Sequence, residues 1–112
     1  MPRDHRVYLD DILKSIDRIF LYVEQMDFEE FSADHKTVDA VVRNLEIIGE
    51  AARNLPDEVR DSMPEIEWKK IIALRNILIH EYFGVNNKII WDIVKNKLSP
   101  LKTACEKVME TD

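Results

Sequence analysis

Arg75, Asn76 and His80 fall within the octapeptide Arg75-Asn76-Ile77-Leu78-Ile79-His80-Glu81-Tyr82. They interrupt a run from Trp68 to Phe83 that otherwise reads as an apolar helix. Packing alone gives no reason to place three such side chains so close together. A guanidinium stays charged and presents a planar fork to phosphate oxygens, while an imidazole titrates near neutrality. These are the groups that phosphodiester cleavage requires. One stabilises charge developing on the phosphoryl oxygens, and the other moves a proton.

A helix must position them. At about 100° per residue, Trp68, Ile71, Ile72, Arg75, Leu78, Ile79 and Tyr82 share one broad face, so Arg75 stands inside an apolar stripe. Burying a guanidinium without a partner costs several kcal/mol, and the position therefore demands a carboxylate or an opening onto a cleft or interface. Asn76 and His80 are four apart on an adjoining face and can touch. Arg75 and His80 are separated by about 140° around the axis of a straight helix. They converge only through the reach of the arginine, a distorted turn near Gly84, or a second subunit. A two-fold axis beside this helix would bring two copies of each into one cleft, which favours a homodimer. Plainer roles stand beside these. His80 suits a dipole-stabilising group near a helix C-terminus. Arg75 suits a structural ion pair, and Trp68 and Tyr82 suit the core.

The rest of the chain reads as helices. Tyr8, Leu9, Ile12, Ile16, Ile19, Phe20 and Val23 recur at helical steps, with Asp4 or a neighbour as cap and Met26-Asp27 as the expected end. Phe28 and Phe31 suggest a short helical turn in the connection. A second long helix carries Val38, Val41, Val42, Leu45, Ile48, Ala52 and Leu55, and Pro56 stops it. Pro56-Asp57-Glu58 opens a short helix to about Met63, and Pro64 leads into the Trp68 helix, with Gly84 as its C-terminal residue. Asn86 caps a last helix carrying Ile89, Ile90, Ile93, Val94, Leu98 and Leu101, where Pro100 should kink or interrupt the path. No strand alternation, internal repeat or low-complexity tract appears. The expectation is an all-α fold, one domain over residues 1–112, built as an antiparallel four-to-five-helix bundle.

The second long helix has another stripe, Asp39, Arg43, Glu46 and Glu50. It reads either as an exposed salt-bridged ladder or as a stripe whose end, near Gly49, faces the Trp68 helix. A mid-helix glycine costs about 1 kcal/mol against alanine, and a close helix approach would compensate. Glu50 would then be the partner of a buried Arg75.

Composition narrows the rest. At 112 residues with 46% hydrophobic and 34% charged, the chain is long enough for a core without staples. Its apolar runs are too short to span a bilayer, no signal peptide is evident, and lone Cys105 excludes an intrachain disulfide. A cytoplasmic protein is expected, without membrane association. Net charge is −6, which disfavours indiscriminate nucleic-acid binding. The charge is uneven, with 16 acids against 8 bases in residues 1–66 and 6 against 8 thereafter. A polyanion would meet the second half, where Lys88, Lys95, Lys97, Lys102 and Lys107 either assist or merely solvate a face. No Glu-x-x-His pair, Cys/His cluster, Gly-rich phosphate loop or serine triad is present, so neither a metal nor a cofactor is expected.

The octapeptide matches an Arg-x4-His-x-Tyr signature, and the chain resembles the HEPN-domain ribonuclease toxins, most of all the HepT-like toxins paired with a minimal nucleotidyltransferase antitoxin. The resemblance extends over Tyr8-Leu9-Asp10-Asp11-Ile12-Leu13, Asp39-Ala40-Val41-Val42-Arg43 and Ile47-Ile48-Gly49-Glu50-Ala51. It continues through Trp68, Arg75-Asn76, His80-Glu81-Tyr82 and Trp91. It implies a HEPN-like homodimeric bundle with two signatures lining a shared cleft, and metal-independent cleavage of RNA. By position, Arg75 and His80 are the catalytic pair and Asn76 a supporting residue. Tyr82, also placed against RNA, would accept AMP from the antitoxin. Two other readings remain: a non-catalytic helical or nucleotide-binding adaptor of a nucleotidyltransferase, and the antitoxin of such a pair.

Overall fold

The computed structural model describes residues 4–80 and 86–111, with Ile79 and His80 as backbone only. The first helix, α1, spans His5–Tyr22. Its N-cap Asp4 accepts a hydrogen bond from the Arg6 backbone N–H at 2.9 Å. The helix ends earlier than the periodicity predicts. Val23 N–H bonds back to Ile19 O at 3.1 Å, and Gln25 takes a left-handed backbone, φ 63°, turning the chain out of the helix. The short helix α2, Phe28–Ala33, starts with a reciprocal capping box between Asp27 and Glu30.

Helix α3, His35–Asn54, is the spine of the bundle, packing on α1 and on α5 (Trp68–His80). Pro56 follows it and precedes the short α4, Asp57–Asp61. The core is the sum of the apolar stripes. Leu9, Ile12, Ile16 and Ile19 from α1 meet Val38, Val41, Leu45, Ile48 and Ala52 from α3, all nearly or fully buried. Each such aliphatic side chain withdrawn from water contributes about 1.5–3 kcal/mol, before the entropy of ordering the chain is counted.

The last helix is interrupted, as Pro100 requires, but one turn ahead of the proline. Helix α6, Asn87–Asp92, capped by Asn86, widens into a π-helical turn at Ile93–Lys97 before α7, Leu98–Thr111. Pro100 has no N–H to donate, and its ring crowds the carbonyl four residues back. In the wider turn Leu98 N–H reaches Ile93 O, and the helix then continues through the proline. Trp91 anchors this arm, its ring 4.9 Å from that of buried Phe31.

Two of the lysines of the second half have definite partners. Lys102 on α7 pairs with Asp17 on α1 at 2.9 Å, and Lys95 Nζ lies 5.1 Å from the Trp91 ring centroid. Cys105 is fully buried, and burial pushes its thiol up to about 12. The fold is all-α: among the described residues there is no strand, and no helix is long and apolar enough to cross a membrane.

Candidate active site

Gly49 lets α5 approach α3. A Cβ at that position would lie 2.7 Å from Arg75 Cβ, closer than packing permits, and a tight 3.1 Å from Ile71 O and 3.3 Å from Arg75 N. The mid-helix glycine thus costs local helix stability and returns helix contact. Arg75 is carried against α3 at this crossing, where the next residue is Glu50.

Glu50 Oε2 lies 2.9 Å from Arg75 Nε. The Nε–H does not point along that line. Oε2, shielded from solvent, accepts no aligned hydrogen bond among the described residues, so the pair is held by charge at contact distance. The other carboxylate oxygen accepts from Asn54 Nδ2 at 3.4 Å and stands 3.8 Å from Arg53 Nη2. Arg75 Nη1 donates to Asn76 Oδ1 at 3.4 Å, a weak contact. The side chains of Arg75 and Glu50 remain 32% and 41% exposed. Of the two outcomes that an arginine in an apolar stripe allowed, the carboxylate or the cleft, both occur.

The cleft is open and about 250 Å³ in volume. Tyr8 and Asp11 of α1, Arg43, Glu46, Glu50 and Asn54 of α3, and Arg75 of α5 contribute its polar walls, with Ile47 and Ala51 between them. It is large enough for a phosphate group with several waters, each of which takes about 30 Å³ in the liquid. Its two guanidiniums are both countered, Arg75 by Glu50 and Arg43 by Glu46 at 3.6 Å. The charged stripe of α3 therefore divides. Arg43 and Glu46 form one rung of a surface ladder, while Glu50 reaches across to α5.

His80 is the last described residue of α5, five positions past Arg75 and about 7.5 Å further along the axis. Its side chain, together with Glu81, Tyr82, Phe83 and the expected helix end at Gly84, lies outside the described residues. Asn76 is exposed on α5. Sequence reasoning overlooked Asn54 as a site residue, although it continues the Glu50 stripe at a step of four. Tyr8 was read as part of the apolar stripe of α1, yet it borders the cleft while packing on the core. No group of three His, Cys, Asp or Glu side chains able to hold a metal ion occurs among the described residues.

The architecture is that of a helical-bundle domain presenting a motif arginine at an open cleft. Residues 12–108 match the family described as Ribonuclease HepT-like, and the chain belongs to that family. It is 48% identical over 99 residues to a Methanocaldococcus jannaschii protein provisionally named an RNase, covering 88% of this chain and 82% of the relative. It is 43% identical over 108 residues to a Thermococcus cleftensis protein named "Probable ribonuclease HepT", covering 96% and 98%. A provisionally named RNase of Caldanaerobacter subterraneus subsp. tengcongensis is 39% identical over 107 residues, covering 96% of each chain. No solved structure matches the chain at a comparable level.

Proposed function

We propose that this protein is a metal-independent endoribonuclease, the toxin of a toxin–antitoxin pair, using Arg75 and His80 in a cleft completed by a second copy of the chain. The observation that carries this reading is Arg75 itself, held at an open cleft in a chain of the HepT-like ribonuclease family. A guanidinium kept about one-third exposed beside a cavity is placed to meet a ligand.

RNA supplies its own nucleophile. The 2′-hydroxyl oxygen attacks the adjacent phosphorus, the bond from phosphorus to the 5′-oxygen breaks, and a 2′,3′-cyclic phosphate and a 5′-hydroxyl result. His80 takes the 2′-hydroxyl proton or protonates the departing oxygen, and solvent water makes the complementary transfer. Arg75 stabilises the charge gathering on the non-bridging oxygens, and Asn76 orients His80 or donates to phosphate. Restraint follows from the resemblance: a nucleotidyltransferase partner transfers AMP to Tyr82, setting an anion and a bulky group two residues from His80.

The test is cleavage of RNA by purified protein in the presence of a chelator, beside His80→Ala. Cleavage by the wild type and its loss in a folded, dimeric variant are expected. Equal activity in both refutes the assignment. The Arg75–Glu50 contact favours a second reading, a non-catalytic adaptor in which Arg75 is structural. Arg75→Ala separates the two. An adaptor loses its fold or its assembly, and a nuclease keeps both and loses cleavage.

A further inference from the structure

The two oxygens of Glu50 face different ways. Oε1 is turned to Asn54 and Arg53 on its own helix, and Oε2 is turned to Arg75 on the neighbouring one. Asn54 also donates to the Glu50 backbone carbonyl at 3.0 Å, so the turn that carries the carboxylate is tied at its C-terminal side. The carboxylate is thus loosely tied on its own helix and acts on Arg75 from its other oxygen. Its contact is at Nε, the inner edge of the guanidinium. Among the described residues the two Nη groups donate one hydrogen bond, from Nη1 to Asn76 at 3.4 Å, which a phosphate oxygen easily displaces.

We propose that Glu50 is a positioning residue for the RNA cleavage set out above, its buried charge drawing Arg75 towards α3 on the Nε side and leaving the Nη groups to the scissile phosphate. This rests on the nuclease reading. A salt bridge at this exposure gains little stability by itself. Holding a cation in one orientation before the substrate arrives lowers the reorganisation required in the transition state. Gly49 is part of the same device. Without a side chain there, the α5 backbone comes near enough for a carboxylate one residue later to reach Nε.

The experiment compares wild type, Glu50→Gln, Glu50→Asp, Arg75→Ala and the double variant Glu50→Gln/Arg75→Ala on a short RNA of defined sequence, measuring kcat and KM. The Arg75 Nε–H resonance is followed by NMR in wild type, Glu50→Gln and Glu50→Asp. Misplacing a catalytic group by about 1 Å costs on the order of 100-fold in rate, and a loss of that order in kcat, with KM within about threefold, is expected for Glu50→Gln. Glu50→Asp should recover part of it, the Arg75 Nε–H signal should broaden or shift in Glu50→Gln, and the double variant should be no slower than Arg75→Ala. Unchanged kcat in Glu50→Gln beside an active wild type overturns this role and leaves the nuclease reading standing. A further loss in the double variant also overturns it, because Glu50 would then act independently of Arg75. A folded wild type that cuts no RNA overturns both.

Discussion

Gly49 and Arg75 sit back to back across the α3–α5 crossing, so close that a methyl group on Gly49 would stand 2.7 Å from the Arg75 Cβ. One residue with no side chain and one with the longest cation thus share a contact, and the cation is delivered to Glu50 by that contact. Helix packing and the candidate chemistry meet at this point.

Gly49→Ala should destabilise the protein. Overpacking costs about 1–3 kcal/mol, and the better helix propensity of alanine returns only about 1 kcal/mol. The Cβ meets backbone and Cβ atoms rather than the end of a flexible chain, so α5 must move. Urea denaturation should show a lower midpoint with an unchanged slope.

Arg75→Lys keeps the charge opposite Glu50 and discards the fork. An ammonium can satisfy the carboxylate but cannot also present a planar pair of donors to phosphate. The variant should fold with wild-type thermal stability and lose on the order of 100-fold or more in RNA cleavage. Wild-type turnover in this variant would remove the fork from the mechanism.

Gln25→Gly should stabilise the fold. Gln25 adopts φ 63°, a region that costs a residue with a Cβ about 1–2 kcal/mol and glycine almost nothing. Part of that gain is lost to the greater freedom of glycine in the unfolded chain. A net gain of about 0.5–1 kcal/mol is expected, read as a higher Tm.

Acid should weaken the fold through its caps and pairs. The Thr37 backbone N–H holds the Asp34 carboxyl below its ordinary 3.8, and the Lys70 hydrogen bond holds Glu67 below 4.5. The folded protein therefore takes up these protons at lower pH than the unfolded chain does. The stabilisation is complete above the ordinary values and is lost as pH falls through the lowered ones. Tm should decline as pH is lowered from about 5 towards 3. Asp34→Asn, which keeps a cap acceptor without the charge, should decline less steeply over that interval.

The helical stripes of α1 and α3 were legible because apolar residues at three- and four-residue steps have only one way to be buried together. Asp4, Pro56 and Asn86 marked element ends through chemistry that is local to the chain. Gln25 could not be read this way. Its left-handed backbone comes from the chain turning towards α2, and nothing in a glutamine announces it. Pro100 announced an interruption, but the π-helical turn formed at Ile93–Lys97 because the crowded carbonyl lies four residues before the ring.

At the site, the sequence by itself determined that Arg75 needed a carboxylate or an opening, since desolvation is a property of the residue and its neighbours along one helix. It also flagged Gly49 as a cost in want of a reason. It named Glu50 as the partner should α3 and α5 approach there; that they do, that Asn54 and Arg53 flank Glu50, and that Tyr8 and Asp11 close the cleft were decided only by how α1, α3 and α5 pack. Periodicity states which face of a helix is buried. The crossing of two helices, set by the side chains at the point of contact, states which residue on another helix that face will meet.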